Sequence, residues 1–186
     1  MSTRPRITFD GRGWCNACQW AEEKKTVDWD ARQNELKNIL EKYRSKTGGF
    51  DCIVPVSGGK DGGYVAYNLK HKYKMHPLTV TVQPPLALEV GNKNLERFKA
   101  QGYDHIHVSP NPEIMRTLNR IGFIELGSPY FGWLTAVFTT VSRVALDHGI
   151  SLIFYSEDGE IEYGGSTNNK NVSLFGIDYI KSRYFE

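Results

Sequence analysis

The sequence predicts an α/β domain in which a Rossmann-like parallel sheet is flanked by helices. Two patterns point to it. Short apolar runs of strand length alternate with amphipathic stretches of helix length, the signature of βαβ units and right-handed crossovers. The first of those runs ends in a glycine-rich turn that opens a helix. With 186 residues, 40% hydrophobic and 24% charged, the chain can bury a core on both faces of such a sheet.

Residues 1–27 read as an irregular lead, with turn pairs at Asp10-Gly11 and Arg12-Gly13 followed by Cys15-Asn16-Ala17-Cys18. From Asp28 the pattern becomes helical: Leu36, Ile39, Leu40 and Tyr43 recur at i, i+3, i+4 and i+7, with Asp28 or Asp30 as N-cap and Gly48-Gly49 as stop signal. Phe50–Val56 is the first strand, and a helix to about Tyr73 follows its glycine turn. Pro77–Val82 reads as the second strand, Glu89–Gln101 as a helix, and His105–Val108 as the third strand. Helices are expected over Glu113–Ile121 and Tyr130–Asp147, and a fourth strand over Ser151–Tyr155. Residues 1–48 form a lead with a packing helix, and 49–186 the α/β domain, whose polar tail from Gly164 does not look like a finished domain end.

The turn Ser57-Gly58-Gly59-Lys60-Asp61-Gly62 sits where parallel sheets bind ligands, beyond a strand's carboxyl end. Two glycines let backbone N–H groups approach an anion, and the helix N-terminus and Lys60 add positive charge. Asp61 beside a phosphate calls for Mg²⁺ or for an orienting contact to backbone N–H groups. The bland reading is a strand-to-helix turn with Asp61 as N-cap. The turn is not a Walker loop. It resembles the PP-loop, Ser-Gly-Gly-x-Asp-Ser, of ATP pyrophosphatases, which places Ser57, Gly58, Gly59, Lys60, Asp61 and Gly62 at ATP and its Mg²⁺. Gly62 replaces the closing serine of that pattern.

Further segments extend the likeness: Thr3–Asp10, Cys15–Cys18, Asp51–Asp61, Gly102–Ile106, Leu118–Phe123 and Glu157–Gly165. Together they resemble the N-terminal half of bacterial N-acetyl sugar amidotransferases of lipopolysaccharide and O-antigen biosynthesis. That resemblance implies an adenine nucleotide alpha hydrolase fold and a cytoplasmic enzyme. It implies adenylation of the acetamido group of a sugar nucleotide or sugar acid, such as a nonulosonic acid precursor. Ammonia then displaces AMP to leave an acetamidino group. It also implies a glutaminase subunit with a cyclase-like partner as ammonia source, and leaves room for a homo-oligomer. Two other readings stay open: another PP-loop enzyme such as a tRNA thiolase, and a nucleotide-binding remnant or subunit without turnover.

Cys15 and Cys18 have the spacing for two thiolates on one Zn²⁺, but a structural zinc site needs four ligands. The family carries a second Cys-x-x-Cys upstream of the Thr3-Arg4-Pro5 segment that this sequence does not have. Two unpaired loop cysteines are the alternative. Cys52 reads as a small core residue. Glu157, Asp158, Glu160 and Glu162 crowd the exit of the fourth strand. Glu157 or Glu162 would bind Mg²⁺ or orient ammonia there, unless the run is a solvated acidic turn. Arg116, Arg120 and Arg143 suit sugar carboxylate or diphosphate oxygens, or surface ion pairs. His105 and His107 share a strand face, either as a ligand pair or as half-buried strand residues. Leu134, Val137, Phe138, Val141, Val144 and Ala145 read as core. Tyr130, Phe131 and Trp133 suit stacking on adenine or sugar, or anchoring of their helix.

Composition argues against other classes. Lys plus Arg number 23 against 21 Asp plus Glu, and a net charge of +2 is a weak field for nucleic acid. Three cysteines cannot form a disulfide framework. No apolar run reaches the roughly 18 residues of a membrane span, and the N-terminus lacks the apolar stretch of a secretion signal.

Overall fold

The computed structural model describes residues 7–157, of which 7–29 and Glu157 belong to one compact unit and Asp30–Ser156 to another.

In the first unit the lead is more ordered than its turn signals suggest. Phe9 and Cys15 form an antiparallel bridge around a turn in which the Asp10 carboxylate accepts from the backbone N–H groups of Arg12 and Trp14, at 2.9 and 3.0 Å. Helix α1 (Asn16–Glu23) follows, then a 3₁₀ turn, Lys24–Thr26. The helix is not legible in the sequence because it is only eight residues long and its start coincides with the Cys-x-x-Cys segment.

The second unit holds all of α2 (Trp29–Tyr43) but its first residue, and Leu40 of that helix is buried against the sheet. Strand β1 (Cys52–Pro55) leads to α3 (Lys60–Tyr67), and a π-helical stretch, Asn68–Lys72, prolongs that helix. Strand β2 (Pro77–Val82), α4 (Glu89–Lys99) and β3 (Asp104–Val108) complete two parallel crossovers in the order β1-β2-β3. Helices α5 (Pro112–Leu126) and α6 (Phe131–Asp147) close the described fold. Asn111 caps α5, its side-chain oxygen accepting from the N–H groups of Glu113 and Ile114, and Gly127 ends it in the left-handed conformation.

The expected fourth strand is reduced to a single parallel bridge, Ile53 to Ile153. Ile53 N–H donates to Leu152 and the Ile53 carbonyl accepts from Phe154 N–H, both at 2.9 Å. The bridge lies on the edge of β1 opposite β2. The chain therefore builds outward from β1 through β2 to β3, then returns to the other side of β1. That reversal is a topological switch point, and the crevice beyond the carboxyl end of β1 is where open α/β sheets hold ligands.

Alternation along β1 sorts the core into two layers. Cys52, Val54 and Val56 pack with Leu40, Ala66, Leu69 and Leu95 on the face covered by α2, α3 and α4. Ile53 packs with Leu78, Val80, Val141, Val144 and Ala145 on the α6 face. On β2, Thr79 and Thr81 are buried because their hydroxyls find acceptors: Thr79 donates to the Asp104 carbonyl at 2.8 Å and Thr81 to the Val56 carbonyl at 2.5 Å. The assignment of Leu134 and Phe138 to the core is corrected: they stay 40% and 45% exposed, while Val141, Val144 and Ala145 are buried. No helix among the described residues is long and apolar enough to cross a membrane.

Candidate functional site

Ser57–Asp61 connects β1 to α3 at the switch point. The last residue before it, Val56, is fixed to β2 from both sides: its N–H donates to the Val80 carbonyl at 2.9 Å, and its carbonyl takes the Thr81 hydroxyl. The turn thus leaves a rigid strand end. Gly58 adopts φ +80°, which an L side chain rarely tolerates, and a Cβ there would stand 2.3 Å from the Gly91 carbonyl oxygen of α4. Gly59, in extended conformation, is the N-cap of α3 and offers no side-chain cap. The first N–H groups of α3 have no partner within the helix, and no capping side chain of Gly59 competes for them.

The reading of Asp61 as N-cap is corrected, since Asp61 lies inside the first turn of α3. Its carboxylate accepts from Lys60 Nζ at 2.7 Å in an exposed ion pair. Such a pair contributes only about 0–1 kcal/mol. Gly62 is buried against the strand: a Cβ there would lie 2.7 Å from the Pro55 carbonyl oxygen and 3.2 Å from Val56 Cα. The missing serine of the PP-loop pattern therefore has a packing reason. A Cβ on Gly63 would meet nothing within 4 Å.

An open cleft of about 360 Å³ runs from this turn along α3 and α4. The loop and the first turn of α3 contribute Gly58, Gly59, Lys60 and Gly63 to its lining; Tyr67 of α3, Asn94, Arg97 and Phe98 of α4, and Gln101 and Tyr103 beyond α4 contribute most of the rest. Tyr103 stacks on Phe98, ring centroids 4.1 Å apart and planes 12° apart. Lys70 Nζ lies 4.4 Å from the Tyr103 ring centre. The lining beyond the loop was mostly invisible in the sequence because, Tyr67 apart, α4 and the residues after it contribute it from roughly 40 positions downstream.

Cys15 is the N-cap of α1, and its sulfur lies 3.5 Å from that of Cys18. The Cys18 backbone N–H, aimed at the Cys15 sulfur, holds that thiol below its ordinary range, and the shared proton raises Cys18 in turn. The pair supplies two of the four donors of a structural zinc site. No group of three or more His, Cys, Asp and Glu side chains able to hold a metal occurs among the described residues. Cys52 is fully buried in β1, and burial pushes its thiol up to about 12.

Glu157 is exposed, whereas Asp158, Glu160, Glu162 and Tyr163-Gly164-Gly165 lie outside the described residues. Arg116 and Arg120 are exposed, and Arg143 forms a surface pair with Asp147 at 3.0 Å. His105 and His107 do not converge on one point: the His105 Nδ1 faces the Thr79 hydroxyl at 2.9 Å, and His107 Nε2 faces the Gln83 side-chain oxygen at 2.7 Å. Trp133 anchors its helix, with Nε1 donating to the Val82 carbonyl at 3.4 Å.

No protein-family model matches the chain. An uncharacterised protein of Methanocaldococcus jannaschii is 31% identical over 80 residues, which is 43% of this chain and 28% of that protein. The chain thus matches little more than a quarter of that relative's length. Among solved structures, a predicted subunit of a tRNA methyltransferase from the same organism superimposes with a TM-score of 0.43 at 19% identity, over 70% of this chain and 60% of that one.

Proposed function

We propose that Ser57–Asp61 is the phosphate-binding loop of a PP-loop type nucleotide-binding domain, and that its nucleotide is ATP. One observation carries the reading: a glycine-rich turn at the switch point opens onto a helix N-terminus that no side chain of its N-cap closes. The N–H groups of the first turn of α3 would face the phosphate oxygens, where the helix dipole favours negative charge. Lys60 would move from Asp61 to a phosphate. Mg²⁺, which binds through few carboxylates, water and phosphates, fits the single exposed carboxylate of Asp61 and would neutralise charge on the leaving pyrophosphate. The loop does not require the hydroxyl that Gly62 lacks, because backbone donors supply most of the cradle.

The acceptor is a finer question, and the sequence resemblance alone supports the acetamido group of an N-acetyl sugar. An amide oxygen is a poor leaving group until it is adenylated, so its attack on the α-phosphorus of ATP makes displacement by ammonia feasible. Glu157 and Glu162 are then the carboxylates to test for orienting ammonia. A glutaminase subunit would supply it.

The reading is tested by incubating the chain with ATP, Mg²⁺, ammonia and N-acetyl sugar nucleotides. AMP and pyrophosphate are the expected products. Release of ADP and phosphate would refute the adenylation chemistry. Tight ATP binding without turnover would instead favour a nucleotide-binding subunit that works only within a larger protein.

A further inference from the structure

The cleft is also lined by residues that lie outside the phosphate loop. The lining of the whole cleft contains two cations, Lys60 in the loop and Arg97 on α4, and no acidic side chain. Arg97 is exposed, and among the described residues it engages no carboxylate. Tyr103 is only 8% exposed, yet its hydroxyl has no hydrogen-bond partner among the described residues. A buried, unpartnered hydroxyl is costly, and phenylalanine would fill the same stack on Phe98 without that cost. Burial, and next the neighbouring Tyr67 phenol, raise the Tyr103 hydroxyl above its ordinary range, so it stays a proton donor at neutral pH.

We propose that the cleft beyond the loop binds a small organic anion, with Arg97 meeting its carboxylate or phosphate and the Tyr103 hydroxyl, closed off from solvent in the empty cleft, turning to donate to it. Arginine and a phenol together offer fixed donors to an oxyanion, and the amides of Asn94 and Gln101 suit a hydroxylated body. These residues share one cleft with the phosphate loop but lie outside the loop itself.

The experiment is calorimetric titration of the full chain with inorganic phosphate, glucose 6-phosphate, glucuronate and glucose. The parent is compared with Arg97→Met and Tyr103→Phe. At least one of the charged probes is expected to bind and glucose not to; whether phosphate or carboxylate wins identifies the source of the anion. Arg97→Met should weaken binding roughly tenfold or more, and Tyr103→Phe severalfold. Thermal melting separates a ligand role from a structural one: Tyr103→Phe should melt at the same temperature or higher. The proposal is overturned if no charged probe binds at millimolar concentration, if glucose binds as well as the anions, or if either variant binds as tightly as the parent. A lower melting temperature for Tyr103→Phe would also overturn it. A parallel ATP titration keeps the two readings apart, since anion binding without ATP binding refutes the loop assignment alone, and the reverse refutes only this one.

Discussion

Gly58 and Gly91 meet backbone to backbone: a Cβ on Gly58 would stand 2.3 Å from the Gly91 carbonyl oxygen, and Gly58 itself holds φ +80°. The phosphate loop is thereby seated against α4. Gly58→Ala combines a left-handed backbone penalty with a steric overlap, and should cost at least about 2 kcal/mol. That corresponds to a melting temperature lower by roughly 4–8 °C. An unchanged melting curve would mean that the loop is not seated on α4.

Gly62 tests whether departure from the PP-loop serine is forced by packing. Gly62→Ser restores the hydroxyl of the pattern, but its Cβ would press on the Pro55 carbonyl oxygen at 2.7 Å. The expected result is a loss of about 1–3 kcal/mol in a urea titration, with no gain in ATP affinity. A variant as stable as the parent would show that α3 can yield there.

His105 makes stability depend on pH. Thr79 donates its hydroxyl proton to the Asp104 carbonyl, so His105 Nδ1–H must donate to the Thr79 oxygen, and Nε2 is left buried without a partner among the described residues. Burial is the main cause that lowers its pKa from 6.5 to about 4, with Lys99 next. A lowered histidine pKa favours the folded state above the unfolded value. The contribution is complete above about pH 6.5 and is lost as pH falls through about 4. Melting temperature should therefore drop over that window more steeply for the parent than for His105→Phe. Parallel curves would contradict the assignment.

Cysteine labelling reports on β1. Burial pushes the Cys52 thiol up to about 12, and Cys52 is 0% exposed. A thiol reagent at mildly alkaline pH should modify the exposed Cys18 in the folded protein and reach Cys52 only after unfolding. Mass spectrometry showing Cys52 modified in the native state would place β1 outside the core.

The strands and most helices were legible because their patterns match the layers they occupy. Pro77–Val82 is buried along its whole length, as a continuous apolar-and-threonine run in a covered parallel strand should be. Ser151–Tyr155 is also an apolar run of strand length but has only one bridge to β1, since composition does not say how far a partner strand extends. The π-helical turn after Tyr67 was illegible because helical spacing cannot reveal a local shift from i+4 to i+5 bonding. Of the site, the loop was readable as a contiguous motif. Arg97 and Tyr103 were not, because only the crossover through β2 and α4 carries them toward α3.

The central claim is that Ser57–Asp61 holds the phosphates of ATP. Calorimetric titration of the chain with ATP and Mg²⁺, beside Asp61→Ala, tests it most directly. Asp61 is exposed, so the variant should fold as the parent does, which circular dichroism verifies. The account predicts saturable binding by the parent and a loss of roughly tenfold or more in the variant. No binding by the parent, or equal binding by both proteins, would contradict it.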